Sequence, residues 1–202
     1  MSEHYFSQQP HSKSSPKNWD FTLRNKVYTF TSDVGVFSKK EVDYGSRLLI
    51  EKFSEPIISG DILDLGCGYG PIGITLADNF RNRKVLMVDI NERAVSLADL
   101  NASNNKIENI ESIQSDGFSN IINRKFAVVV TNPPIRAGKS VIYQMFDDSQ
   151  KVLLHGGELW VVIQKKQGAP SALKKLEALF KEVEIVAKDK GYYLLKAKKE
   201  VK

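Results

Sequence analysis

From residue 61 onward the chain alternates short apolar runs with longer amphipathic ones, and that alternation limits the fold more than any other feature. Strand-like runs stand at 61-DILDL, 84-KVLMVDI, 111-ESIQSD, 126-FAVVVTN, 158-ELWVVIQ, 183-VEIVAKD and 192-YYLLKAK. Helix-like stretches lie between them near 71–80, 91–104, 138–154 and 170–181. A helix between consecutive strands returns the chain to the edge it left, so such strands pair in parallel and helices cover both faces. The last two runs are joined only by a turn at Lys190-Gly191, too short for a crossover, and are predicted to pair antiparallel. The expected fold class is α/β, doubly wound: a seven-stranded, mostly parallel sheet whose last strand is antiparallel.

Upstream of the sheet, 19-WDFTLRNKVYTFTS alternates apolar and polar residues on both sides of Arg24-Asn25-Lys26, a hairpin signal. The segment 34-VGVFSKKEVDYGSRLLIEKF follows with a glycine-containing turn and with Leu48, Leu49, Ile50 and Phe53 at helical spacing. Residues 1–17 mix Ser, Gln, Pro, His and Lys without periodicity and are expected to form a flexible tail. A chain of 202 residues is long enough for one well-buried core. Residues 18–202 are therefore read as a single domain, with 18–58 a hairpin and helix extension and 59–202 the ligand-binding core.

The longest apolar runs, 126-FAVVV and 159-LWVVI, fall far short of the roughly 20 residues that cross a bilayer, and no apolar signal segment opens the chain. No membrane partner is expected. A single cysteine, Cys67, excludes an intrachain disulfide and points to a reducing, cytoplasmic location. The net charge is +5, but between Lys165 and Lys202 there are 11 Lys against 5 acidic residues, an excess larger than that of the whole chain. If this segment gathers at one side of the sheet, its charge forms a local patch. Such a patch fits a polyanion such as RNA, and equally fits a solvated lysine-rich surface.

The most informative segment is 63-LDLGCGYGPIG, at the end of the first predicted parallel strand. Gly66, Gly68 and Gly70 allow a sharp turn and close approach to a ligand, and Pro71 starts the next helix where its missing N–H costs least. In doubly wound sheets the ligand crevice lies at the carboxyl ends of the strands, where this loop falls. The same stretch contains G-x-G-x-x-G as Gly68, Gly70 and Gly73, which taken alone is a weak dinucleotide signal. Asp89 ends the second strand, where a carboxylate accepts both hydroxyls of a ribose in NAD or in S-adenosylmethionine alike. Asp116-Gly117 follows the next strand; Asp116 is either an acceptor for an adenine amino group or a plain turn residue.

The segment that separates these cofactors is 131-TNPPI, at the end of the fourth strand. Pro133 keeps Asn132 out of the helical region, and Pro134 stiffens the next step. The Asn132 side-chain oxygen and the Pro133 carbonyl then form two acceptors on a rigid corner, which suits a planar NH2 group. Standing alone, Asn-Pro-Pro also reads as a strand terminator. The three histidines, His4, His11 and His155, have no metal-ligand spacing, and no metal is expected. His155 is placed near a helix end, where it favours the dipole. Cys67 is read as a small packing residue because nothing near it activates a thiol.

Together, 64-DLGCGYG, Asp89, Asp116 and 132-NPPI resemble the class I S-adenosylmethionine-dependent methyltransferases, in the branch that methylates planar amino nitrogens. The segment 35-GVFSKKEVDYGSRLLIE and the corner 132-NPPIRAGK resemble more closely the bacterial 16S ribosomal RNA guanine-N2 methyltransferases, in a single-domain form without their additional N-terminal domain. The resemblance implies a Rossmann-like class I methyltransferase fold and S-adenosyl-L-methionine as cofactor. It implies that Asp64, Gly66, Gly68 and Gly70 line the methionine side, that Asp89 holds the ribose, and that Ile90 packs on the adenine with Asp116 and Gly117 at its edge. Phe37, Ser38, Asp43 and Ser46 sit in the segment that closes over the cofactor in such enzymes. Asn132, Pro133 and Pro134 form the catalytic corner, with Asn132 also at the cofactor.

The resemblance further implies ribosomal RNA or the small ribosomal subunit as partner, acting as a monomer or weak dimer, with Ile135, Arg136, Lys139, Lys165 and Lys166 toward the substrate. One departure stands out: where many such enzymes carry an aromatic residue after Asn-Pro-Pro, this chain has Ile135, leaving Phe37 and Tyr143 as candidates for stacking on the base. The competing readings are a methyltransferase for another planar amine, adenine N6 or a protein glutamine, an NAD-dependent oxidoreductase, and a non-catalytic RNA-binding or ribosome-assembly protein with the same fold.

Overall fold

The computed structural model describes residues 14–36 and 41–201. Two strands, β1 (Lys17–Leu23) and β2 (Lys26–Ser32), form the expected hairpin. Its turn is two residues, Arg24-Asn25, both with positive φ, and Lys26 already belongs to the second strand. The turn is held by Arg24, whose backbone N–H donates to Glu51 and whose guanidinium donates to the Ile50 and Phe53 carbonyls at the end of helix α1 (Tyr44–Lys52). Within residues 1–17, expected to form a flexible tail, Ser14 Oγ and Ser15 N donate to the buried Asp33 carboxylate at 2.7 and 2.6 Å, and β1 begins at Lys17. Residues 1–13 lie outside the described residues.

The core is a second sheet built from β3 (Ile62–Leu65), β4 (Val85–Asp89), β5 (Ile110–Gln114), β6 (Phe126–Thr131), β7 (Leu153–Gln164), β8 (Glu182–Asp189) and β9 (Tyr192–Lys198). Their order is β5-β4-β3-β6-β7-β9-β8, all parallel except β9, which pairs antiparallel with both β7 and β8. The order reverses at β3 and β6, the point where a crevice opens in such sheets. Helix α1, α2 (Pro71–Asn79) and α3 (Glu92–Asn104) pack with the hairpin on one face, against Ile62, Met87, Val128 and Val162. Helices α4 (Lys139–Val152) and α5 (Ala169–Leu179) cover the other, against Leu63, Val88, Val129 and Val161. Sequence neighbours such as Ile62 and Leu63 thus point to opposite cores, the period-two signature of a sheet buried on both sides.

Two local expectations change. The stretch 153-LLHGG joins β7 and not the preceding helix, because Leu153 pairs with Phe126 at the start of β6 before the register shifts. His155 therefore sits in a strand, its ring Nδ1 3.1 Å from the Glu200 carbonyl, and not at a helix end. Nor does the lysine-rich segment form one patch. Lys165, Lys166, Lys188 and Lys190 lie at the carboxyl edge of the parallel strands, while antiparallel β9 carries Lys198, and Lys199 just after it, roughly 20 Å to the opposite edge.

A candidate methyl-transfer cleft

A cleft of about 1440 Å³ opens at the carboxyl ends of β3, β4, β6 and β7. It exceeds the roughly 300–1,000 Å³ typical of a site for one small ligand, so it has space for two. Its floor is the loop after β3. Gly66 and Gly68 adopt positive φ, and a Cβ on either would project into open space. The loop is laced to β4 by Gly66 N and Cys67 N donating to the Val88 carbonyl, and Gly68 N donates to Asp89 Oδ2 at 2.9 Å. Gly70 and Gly73 do not face the cleft: a Cβ on Gly73 would meet the Met87 side chain at 2.6 Å, so the third glycine of G-x-G-x-x-G serves helix-on-strand packing.

Asp64 lies beneath this loop, fully buried, and does not line the cleft. Its Oδ2 accepts from Gly73 N at 2.8 Å, while Oδ1 has no partner among the described residues. Burial pushes its pKa up to about 7, opposed by the Gly73 bond and reinforced by the charge of Asp89. Asp89, at the cleft, is also raised by burial, against bonds from Asn91, Gly68 and Ile90 N–H groups. Gly68 N donates to Asp89 Oδ2 and Asn91 N to Oδ1, so backbone N–H groups orient the carboxylate at the cleft. Cys67 is buried, and burial with two nearby carboxylates pushes its thiol pKa well up, so it is no thiolate.

Ile90, Ser115, Asp116 and Gly117 line the same side. The Asp116 carbonyl accepts from Ser119 N, so the residue is a turn former whose exposed side chain still reaches the cleft. Val34, Gly35 and Val36 close it from above, held there by Asn91 Nδ2 donating to the Gly35 carbonyl and Arg93 to the Val34 carbonyl. Phe37 and Ser38 lie outside the described residues.

The opposite side is the corner after β6. Asn132, Pro133, Pro134, Ile135 and Arg136 all line the cleft. Asn132 Nδ2 donates to both oxygens of Asp43, at 3.2 and 3.1 Å, and to Ser46 Oγ at 3.1 Å. Asp43 is at the same time the N-cap of α1, accepting from Gly45 N and Ser46 N. With its NH2 group committed, the Asn132 amide offers its oxygen. The sequence places Asp43 and Ser46 among cofactor contacts; both line the cleft, and their bonds here run to Asn132.

Lys139, Lys165 and Lys166 are exposed and stand outside the lining. Tyr143 is turned away as well: its ring stacks on Phe146 and its hydroxyl donates to the Ser171 carbonyl. The wall instead contains Gln164 and Tyr192, which the sequence reading passed over. The signal was a polar residue ending the apolar run 159-LWVVIQ at the carboxyl end of a parallel strand. Among the described residues no helix is long and apolar enough to cross a membrane, and no group of three or more His, Cys, Asp or Glu side chains could hold a metal ion.

A seven-stranded sheet of this order, with its open glycine loop after β3 and a carboxylate ending β4, is the fold of the S-adenosylmethionine-dependent methyltransferases. The chain belongs to the methyltransferase small domain family, which it matches over residues 27–196. It is similar to Uncharacterized protein YbxB of Bacillus subtilis, 60% identical over 98% of this chain and 100% of that one. It is 27% identical to Ribosomal RNA large subunit methyltransferase G of Klebsiella pneumoniae, over 94% of this chain and 51% of that one. Among solved structures, the T. thermophilus 16S rRNA N2 G1207 methyltransferase, in complex with AdoMet and guanosine, superposes with a TM-score of 0.82 at 26% identity, over 95% of this chain and 52% of that one. The chain thus spans about half the length of these named RNA methyltransferases.

Proposed function

We propose that this chain is an S-adenosylmethionine-dependent N-methyltransferase acting on the exocyclic N2 amine of a guanine in 16S ribosomal RNA, with residues 18–202 as one catalytic domain. The observation that carries the reading is the orientation of Asn132: its NH2 group is committed to Asp43 and Ser46, so the amide oxygen is left as an acceptor beside the Pro133 carbonyl. When bound, S-adenosylmethionine supplies a methyl group already activated on a positively charged sulfur. Asp89 would hold the ribose hydroxyls, Gly66 and Gly68 would admit the methionine part past their missing side chains, and Ile90, Asp116 and Gly117 would flank the adenine.

The protein's share of the chemistry is positioning. A guanine N2 lone pair is delocalised into the ring, and accepting both amine hydrogens at Asn132 Oδ1 and the Pro133 carbonyl favours the pyramidal, nucleophilic form. Acceptors fixed in advance by a buried proline and by the Asp43 clamp lose little on binding. A paired guanine hides its amine against the partner base, so the target is an unpaired or extruded nucleotide. Arg136 at the cleft rim, with Lys139, Lys165 and Lys166 outside it, would meet phosphates.

The RNA assignment draws support from the relatives named as ribosomal RNA methyltransferases. Because several of those act by name on the large subunit, 23S RNA is the second reading, served by the same corner. Labelled methyl transfer to 30S subunits, 50S subunits and free 16S and 23S RNA, followed by nucleoside mass spectrometry, tests both. N2-methylguanosine in 16S RNA is the expected product; the same nucleoside in 23S RNA moves the substrate. N6-methyladenosine, or no incorporation into any RNA, rejects the proposal.

A further inference from the structure

Gln164 ends β7 and faces Tyr192, the first residue of β9, directly across the antiparallel pair. Its Nε2 donates to the Tyr192 hydroxyl at 2.5 Å. Its Oε1 is buried and has no partner among the described residues. Both side chains line the cleft that Asn132 and Pro133 line. Tyr192 is itself fixed: its ring lies so close over Gly45 that a Cβ there would meet it at 2.9 Å, and it tilts against Tyr44 at 5.7 Å between ring centres. A buried acceptor left without a donor carries a desolvation cost, which a ligand N–H repays once a turn of the amide opens Oε1 to the cleft.

The geometry points to Gln164 Oε1 as the acceptor for the N1–H of the target guanine, making Gln164 the specificity residue of the site and Tyr192 the group that aims it. The inference rests on the amine-binding reading of Asn132 and Pro133. Given an amine held there, the neighbouring atom of the ligand decides what a second acceptor can do. Guanine carries N1–H beside its N2 amine, a donor next to a donor. Adenine flanks its amine with the acceptors N1 and N7, cytosine with the acceptor N3, and a protein glutamine with its own carbonyl oxygen. Each of these meets the Gln164 oxygen with no hydrogen between.

Equilibrium binding of free nucleosides to the full chain with S-adenosylhomocysteine present separates the two layers. Guanosine, inosine, 2-aminopurine riboside and adenosine are the probes: inosine keeps N1–H and loses the amine, and 2-aminopurine riboside keeps the C2 amine and loses N1–H. Guanosine is expected to bind about tenfold tighter than 2-aminopurine riboside, the loss of one hydrogen bond to a buried acceptor. Gln164→Met, which keeps volume and removes the acceptor, is expected to close that gap while S-adenosylhomocysteine affinity stays within about twofold. Should guanosine exceed inosine but equal 2-aminopurine riboside, the amine corner stands and the role of Gln164 falls. Equal binding of guanosine and inosine, or tighter binding of adenosine, rejects both. The wild-type series alone decides the point if the variant fails to fold.

Discussion

The two halves of the cleft are built by different means. On the β3–β4–β5 side the polar features are set by backbone: a glycine loop, a strand-end carboxylate clamped by N–H groups, and a turn at Asp116-Gly117, all within residues 66–117. On the β6–β7–β9 side the surface is mostly side chains, and they come from four distant places: Asp43 and Ser46, Asn132, Gln164, and Tyr192. Backbone geometry accommodates any ligand of the right shape and is set by local sequence. A side-chain constellation is set by tertiary pairing and can be re-aimed by a single substitution, which is where substrate choice is expected to reside.

The largest effects should separate the halves cleanly. Asn132→Ala removes one of two amine acceptors and leaves the Asp43 carboxylate only its bonds from Gly45 N and Ser46 N. It is expected to cut methyl transfer by about 10³-fold, on the scale of losing one preorganised group, with cofactor affinity changed about twofold at most. Single-turnover transfer and cofactor titration, run on the same preparation, check this; undiminished transfer breaks the comparison. Asp89→Ala works on the other half. Losing two charge-assisted bonds to a diol is expected to weaken cofactor binding by about 100-fold, while saturating cofactor restores much of the transfer rate.

The sheet and the glycine-loop half of the cleft were legible in the sequence because their determinants are contiguous. Runs such as 126-FAVVV announce a strand buried on both faces, and 64-DLGCGYG with Asp89 announces the loop and its acid. The other half was only partly legible. Asn132 could be read from its two prolines, but its orientation depends on Asp43, 89 residues away, and no local pattern contains that bond. Tyr143 and Tyr192 look alike in the sequence. The helix turns one toward Ser171, while the β7–β9 register aims the other into the cleft. The charge excess after Lys165 is plain in the composition, yet its division between two edges follows from one antiparallel strand.

Asp64 allows a finer test, because it acts through charge and not through direct touch. Its carboxyl, ordinarily near 4, is held up to about 7 by burial, so the folded chain keeps a proton that the unfolded chain releases. Stability should therefore fall as pH rises from about 4 through about 7, and level off above. Asp64→Asn has no proton to lose. The variant should gain on wild type by about 4 kcal/mol between pH 4 and pH 8 in denaturant melts, about three pKa units at about 1.36 kcal/mol each. Cofactor affinity should move oppositely: a cationic ligand favours the ionised carboxylate, so wild-type binding tightens through pH 7 and the variant's binding does not. A parallel pH profile in both chains would show that Asp64 only braces the loop.

The smallest effect concerns the two edges of the sheet. Lys165 and Lys166 follow β7 beside Gln167, which lines the cleft, and Lys188 and Lys190 flank the β8–β9 turn. Lys199 is committed elsewhere, donating to the Gln150 and Leu153 carbonyls at the end of α4, so reversing it would test folding and not RNA. Lys198 and Lys181 are the better controls at the far edge. Changing Lys165 and Lys166 to Ala should lower the slope of log affinity against log salt by about one for each phosphate no longer neutralised, a several-fold weakening at moderate salt. Changing Lys181 and Lys198 should leave the slope alone. If the two pairs behave alike, the charge excess acts as a diffuse field, and the side-chain half of the cleft selects its substrate without help from a docked backbone.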